Sequence, residues 1–222
     1  MDKLTNRART IKNIVAISIL LAASNSYGPL YSMHFTKIKM VELEDSLLVD
    51  RDGNRYSVKK MIDNNLWMTA NLKVNIPDSY CYENIKENCD QYGRLYTWKS
   101  AQEGCTVLGE GWRLPTNDEW QQLAKYYGSP EDSIDYRKGA FKALLYGGSA
   151  RFNALFGGNR APDGQYQRLD AHGFYWTATE NDSSTAWLYN FGAGGKFLNR
   201  HNDNEKSSAV SVRCVKKATV LK

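Results

Sequence analysis

Gly111-Trp112-Arg113-Leu114-Pro115-Thr116-Asn117-Asp118-Glu119-Trp120 (GWRLPTNDEW) is the stretch on which the reading of this chain turns. Leu114-Pro115 leads into Thr116, an N-cap residue, and Glu119 three positions later completes a capping box. In that arrangement each side chain satisfies a backbone N–H that the first helical turn leaves open. Trp120, Leu123, Ala124 and Tyr127 then fall at i, i+3, i+4 and i+7, a stripe that one helix face buries. Gly128 ends the helix, and Trp112 delivers an aromatic anchor to the core just before it begins.

Toward the C-terminus, Phe141, Leu144 and Leu145 predict one or two further helical turns closed by Gly147-Gly148. From Arg151 to His172 the chain is rich in Gly, Asn, Asp and Arg and shows little periodicity, so it reads as a long irregular segment. Such a segment inside a compact domain is usually functional or else flexible. Strand candidates follow at Phe174–Thr177, Thr185–Phe191, Lys196–Asn199 and Ala209–Val215. Trp187, Tyr189 and Phe191 alternate, as do Val210, Val212 and Cys214, which gives each strand one buried face.

Toward the N-terminus, Leu95, Trp98 and Ala101 share a face of a short helix ending near Gly104. Tyr56, Val58 and Ile62 alternate with polar residues, and Asp63-Asn64-Asn65 turns them into Leu66-Trp67-Met68-Thr69, a hairpin. Asp50-Arg51-Asp52-Gly53-Asn54 is turn chemistry. Asp50 and Asp52 lack the further acidic positions that a calcium loop supplies. Helices grouped early and strands grouped late indicate an α+β fold, in which first and last strands joining the sheet bring the chain ends together.

Lys3, Arg7, Arg9 and Lys12 precede the apolar run Ile14 to Ala23, and small residues follow it, so residues 1–28 read as a signal peptide. The run is too short to span a bilayer as a helix. Ser24 stands where a lipoprotein would carry Cys. The expected organisation is leader 1–28, lead-in 29–46, folded domain 47–217 and tail 218–222. Of the net charge of +5, the leader's four basic residues and one acidic residue contribute +3, leaving +2. That balance gives no case for nucleic acid, which demands a concentrated basic face. The four cysteines, Cys81, Cys89, Cys105 and Cys214, show no C-x-x-C spacing and lie far in sequence from His34, His172 and His201, which argues against zinc. An even count in an exported chain points to two disulfides, and four cysteines allow three pairings.

Seven motifs in order carry a resemblance: DRDGNRY (50–56), LWMTANL (66–72), YCYEN (80–84), C-x2-YGRLYTW (89–98), GWRLPTNDEW (111–120), GFYWTATE (173–180) and SVRCVK (211–216). Together they resemble the Fibrobacter succinogenes major paralogous domain family over roughly residues 48–217. The family is similar to C-type-lectin-like and formylglycine-generating-enzyme-like folds. The resemblance implies small antiparallel sheets, two or three helices and long loops. It also implies that Cys105 pairs with Cys214 and Cys81 with Cys89. The motifs are built of Trp, Gly, Pro and Cys, the vocabulary of scaffolds, and Arg213 is a candidate partner for Glu119 or Glu180.

Lectin-like folds commonly place ligand contacts on irregular loops and adjoining late strands. Here that surface comprises Arg160, Asp163, Gln165, Arg168, Asp170, Trp187, Asn190, Lys196, Asn199, Arg200, Asn202 and Asp203. Asn, Asp and Arg offer directional hydrogen bonds, and Trp a flat stacking face. The expectation is a non-catalytic binding or surface-display module, exported to the periplasm, cell surface or medium. Its ligand would be a glycan, a cell-wall polymer or a protein, with membrane contact only through the leader during export. No cofactor or metal is expected, because Ala161-Pro162-Asp163 and Ala186-Trp187-Leu188 depart from the calcium-binding lectin patterns. An enzyme of the formylglycine-generating type would need a reactive cysteine pair late in the domain, where only Cys214 lies. A third reading is a diversified display protein, with variation confined to 181–204. Against the enzyme reading, His172 and His201 are expected in loops with no evident partner.

Overall fold

The computed structural model describes residues 46–128 and 135–218. The expected leader, the lead-in up to residue 45 and residues 219–222 lie outside the described residues. No helix among the described residues is long and apolar enough to cross a membrane.

The fold is α+β. Strands β1 (Ser46–Val49), β2 (Arg55–Lys60) and β3 (Asn65–Met68) form a meander whose far edge is the last strand, β11 (Val215–Lys217). Asp50 builds the first turn by accepting the N–H groups of Asp52 and Asn54, the Asn54 amide and the Tyr56 hydroxyl. That turn chemistry is why no ion is needed there. Asp63 does the same for the second turn, accepting from Asn65 and from Trp67 Nε1. Ile62 falls outside β2 and is 45% exposed.

A short ladder, β4 (Ser79–Tyr80) with β5 (Leu95–Tyr96), encloses a 3-10 turn at Tyr82–Asn84 and helix α1 (Lys86–Tyr92). Helix α2 (Trp98–Thr106) follows, capped by Thr97, whose side chain accepts from Ser100 N. Leu95 is therefore a strand residue, not part of the helix its spacing suggested. Helix α3 (Asn117–Gly128) begins where the capping box requires: Glu119 N donates to Thr116 Oγ1 at 3.2 Å, and Thr116 N to Glu119 Oε2 at 2.8 Å. Helix α4 (Tyr136–Leu144) crosses α3 with backbones in contact. A Cβ on Gly128 would collide with Tyr136 O, and one on Gly139 with the Gly128 backbone, so both crossing points admit only glycine.

The segment expected to be irregular holds two strands, β6 (Gly157–Arg160) and β7 (Tyr166–Leu169). With β8 (His172–Glu180), β9 (Thr185–Gly192) and β10 (Phe197–Glu205) they make a five-stranded sheet in the order β10-β9-β8-β6-β7. Gly158, at φ +65°, lets β7 and the Tyr82 ring approach closer than any side chain would permit. The expected strand Ala209–Val215 is regular only from Val215. Upstream of that it exchanges partners, bridging Arg160 through Ala209, Tyr96 through Val210 and Tyr175 through Ser211.

One face of the five-stranded sheet lies against α3 and α4. There Trp120 stacks on Tyr189 at 5.2 Å and meets Trp67, Phe152 and Tyr175 within 5.7 Å. The other face contributes Phe174, Trp176, Ala186 and Leu188 to a second core with Tyr96, Trp112, Val210 and Val212. Disulfides join Cys81 to Cys89 and Cys105 to Cys214, the pairing the family resemblance implies. The second closes a sequence separation of 109 residues; in the chain-entropy model a loop of that order is worth about 4–5 kcal/mol.

Arg213 does not meet Glu119 or Glu180. Glu119 holds Arg113 through two short bonds, and Glu180 holds Lys206. Arg213 is fully buried and donates to Asn71 Oδ1 and to the carbonyls of Met68, Phe152 and Asn153. Its cation lies 4.8 Å from the Phe152 ring centroid. Burial lowers its pKa, and the carbonyl cage replaces the water that a buried guanidinium gives up.

Candidate functional site

Residues paired across a sheet share a face. Phe174 pairs with Asn190, Asn190 with Asn199, and Leu188 with both Trp176 and His201. Asn190, Asn199 and His201 therefore stand on the side of Phe174 and Trp176, at the end of that face. His172 stacks on Phe174 at 5.5 Å with ring planes 8° apart, and its Nδ1 meets Asn190 Oδ1 at 3.0 Å. The Arg168 guanidinium covers Phe174 from 5.7 Å. A band of Arg168, His172, Asn190, Asn199 and His201 results, with Arg168 and His172 over the Phe174 ring.

This band unites three of the residues expected at the surface, Arg168, Asn190 and Asn199, and adds two histidines. His172 and His201 were expected in loops; they lie in β8 and β10. Strand alternation around GFYW would have placed His172, but His201 depends on the pairing of two distant strands. Further along β10 a bulge separates His201 from Asn204, leaving Asn202 and Asp203 exposed. His201 Nε2, Asn204 Nδ2 and Asn159 Oδ1 on β6 are shielded from solvent and meet no hydrogen-bond partner among the described residues.

The other expected contacts do not join this band. Trp187 stands on the opposite face, where the Arg200 guanidinium sits 4.5 Å from its ring. Arg160 lies 4.2 Å from the Tyr80 ring and 5.9 Å from that of Tyr166, which holds the β6–β7 hairpin to the β4–β5 ladder. Asp163 closes that hairpin by accepting from Gln165 N. Asp170 accepts the Tyr92 hydroxyl at 2.6 Å, which pushes the Tyr92 pKa up to about 12. Asn202 donates to Asn181 Oδ1, and Lys196 occupies the β9–β10 turn at φ +53°. Four of these residues thus stabilise hairpins or hold them in place, and their side chains are engaged within the protein.

Two clefts open elsewhere. The first, of about 510 Å³, is lined by Thr69, Asn71, Lys73, Tyr92, Asn153, Leu155 and Arg213 among others. The second, of about 1120 Å³, lies between α4, the Gly147-Gly148 turn and the β9–β10 turn. Among the described residues no three His, Cys, Asp or Glu side chains cluster as a metal site would require.

Searches of curated proteins and of solved structures give no match to this chain. A family model described as the Fibrobacter succinogenes major domain matches residues 60–216, from the end of β2 through β11. The match includes both disulfides, the capped helix and the whole five-stranded sheet. The chain belongs to the Fibrobacter succinogenes major domain family.

Proposed function

We propose that this protein is an exported, non-catalytic binding or display module on a C-type-lectin-like scaffold, with its contact surface on the band along β8, β9 and β10. The two disulfides support an oxidising compartment, where such bonds persist. The observation that carries the reading is the set of shielded but unpartnered polar atoms beside that band, His201 Nε2 and Asn204 Nδ2 above all. A shielded donor or acceptor left unpaired costs about 1–3 kcal/mol, and a hydroxyl-rich or peptide ligand bonded there would recover it. Asn199 presents an amide beside them, and Asn190, bonded to His172, helps hold the band at fixed spacing.

The test is a panel of glycans, cell-wall polymers and envelope proteins, offered to the oxidised chain with and without EDTA. Binding that survives EDTA and weakens in His201→Ala supports the reading. Silence across the panel, together with turnover of a thiol substrate, refutes it in favour of an enzyme.

The diversified-display reading draws on a separate observation. Residues 181–204 form one hairpin at the sheet edge, in which Leu188, Tyr189, Phe191 and Leu198 are buried while Asn202, Asp203, Arg200 and the 193–196 turn face outward. Sequences from several isolates should vary at the outward positions and hold the buried ones, which also include Ala186 and Asn190, fixed. Variation spread evenly over the domain removes this reading.

A further inference from the structure

We infer that the two clefts form one groove that binds an anionic polysaccharide, at a site separate from the band on the sheet. Tyr146 belongs to the walls of both clefts, so they adjoin there. Each is of ligand size, and the pair end to end suits a polymer better than one compact molecule. Every charged residue lining them is basic: Lys73 and Arg213 in the first, Lys138, Lys142 and Lys196 in the second. No described Asp or Glu lines either cleft, although the chain as a whole is nearly balanced in sign.

In the first cleft Lys73 donates to the Asp90 carbonyl at 2.6 Å and Arg213 is buried in its carbonyl cage, so the accessible positive charge lies in the second cleft. Lys138 and Lys142 lie four residues apart on α4, and Lys196 approaches from the β9–β10 turn, so three ammonium groups ring one opening. The ion pairs among the described residues involve none of them; the neighbouring Arg137 pairs with Asp135, and Lys138 lies 5.1 Å from the Phe197 ring. A cleft lined by one sign of charge focuses the field and raises the local concentration of the opposite ion.

Tyr146 identifies the kind of anion. Among the described residues it is the most exposed large apolar side chain, at 74%, and it stands at the junction of the clefts. A single flat ring with a polar tip suits the apolar face of a sugar, with carboxylate or sulfate groups reaching the lysines on one side. Single-stranded nucleic acid would instead need a succession of stacking platforms along the groove. Lysines, as flexible point charges, also match polymers whose anionic groups are irregularly spaced.

The oxidised full-length chain should bind polygalacturonate and dextran sulfate, and should fail to bind methyl-esterified polygalacturonate and plain dextran. Raising the salt to about 0.5 M should weaken binding, since exposed charges are then screened within a few ångströms. The double reversal Lys142→Glu with Lys196→Glu should lower affinity by about tenfold or more, and Tyr146→Ala by about threefold to tenfold. These positions are exposed, so far-UV circular dichroism should be unchanged. Asn199→Ala should leave polysaccharide binding intact, which separates this groove from the sheet band. Absence of binding to both anionic polymers, equal binding of the neutral ones, unaffected variants, or tighter binding of poly(dT) would each overturn the inference.

Discussion

Strands β8, β9 and β10 build two surfaces that do opposite things. Toward α3 they send Tyr175, Tyr189, Phe191 and Leu198 into an aromatic cluster around Trp120, all buried. Toward the other side, near their hairpin ends, they send His172, Asn190, Asn199 and His201. The same strands thus serve the buried scaffold on one set of residues and the proposed contact band on the alternate set, because successive side chains point to opposite faces. Substitution on the first face should therefore be felt as stability, and on the second as binding.

Trp120→Ala should break this division most severely. It removes a ring packed against Trp67, Phe152, Tyr175 and Tyr189, and such a cavity costs about 3–5 kcal/mol in chemical denaturation. A loss below about 1 kcal/mol would mean that the cluster is not the scaffold's anchor.

Glu119→Gln should act more gently and with a pH signature. Burial raises the Glu119 pKa, but Arg113 and the Thr116 N–H outweigh it and hold the carboxyl below its ordinary value. A carboxyl depressed in the folded state binds its proton more weakly there than in the unfolded chain. Its stabilising effect is thus full above the unfolded pKa and fades as pH falls through the folded one. The variant should lose about 1–2 kcal/mol at neutral pH, through the cap and the Arg113 pair, and should show a shallower loss of stability below about pH 4.5. An unchanged acid limb would assign that limb to other carboxylates.

Asn199→Ala should be smallest in stability, within about 0.5 kcal/mol, because the side chain is only half-buried and meets no partner among the described residues. The same variant should weaken whatever ligand the band binds. If stability falls and binding does not, the contrast between the faces is drawn in the wrong place.

How much of this was legible in the sequence follows from how local each signal is. The capping box spans four residues, and its bonds are the ones the side chains dictate, so α3 was legible. The β2–β3 hairpin was legible because its turn is made by Asp63, which bonds residues next to it in sequence, and the Asp50 turn was legible for the same reason, while β1 before it was not read. Strands β6 and β7 were hidden: Gly157-Gly158-Asn159-Arg160 has little intrinsic preference for a strand, and its partners lie elsewhere in the chain. Helix α1 was hidden for another reason. Lys86–Tyr92 buries only Cys89, so it has no apolar stripe, and the Cys81–Cys89 bond does what a stripe would do. Leu95 misled because its spacing to Trp98 and Ala101 is helical while the Thr97 cap starts the helix later. Within the band on β8, β9 and β10, the amides and Arg168 were legible as residue types. The inclusion of His201 and the exclusion of Trp187 were not, since both depend on strand register.

The pairing of β3 with β11, Asn65 opposite Lys217 and Trp67 opposite Val215, has a consequence for how the molecule comes into being. The four-stranded sheet closes across about 150 residues of intervening chain, and the long disulfide seals the same closure, so early contacts cannot be completed early. During synthesis Trp67 and Cys105 therefore wait for their partners until residues 214–217 have emerged. Removing only Val215 to Lys217 should thus cost the four-stranded sheet its edge.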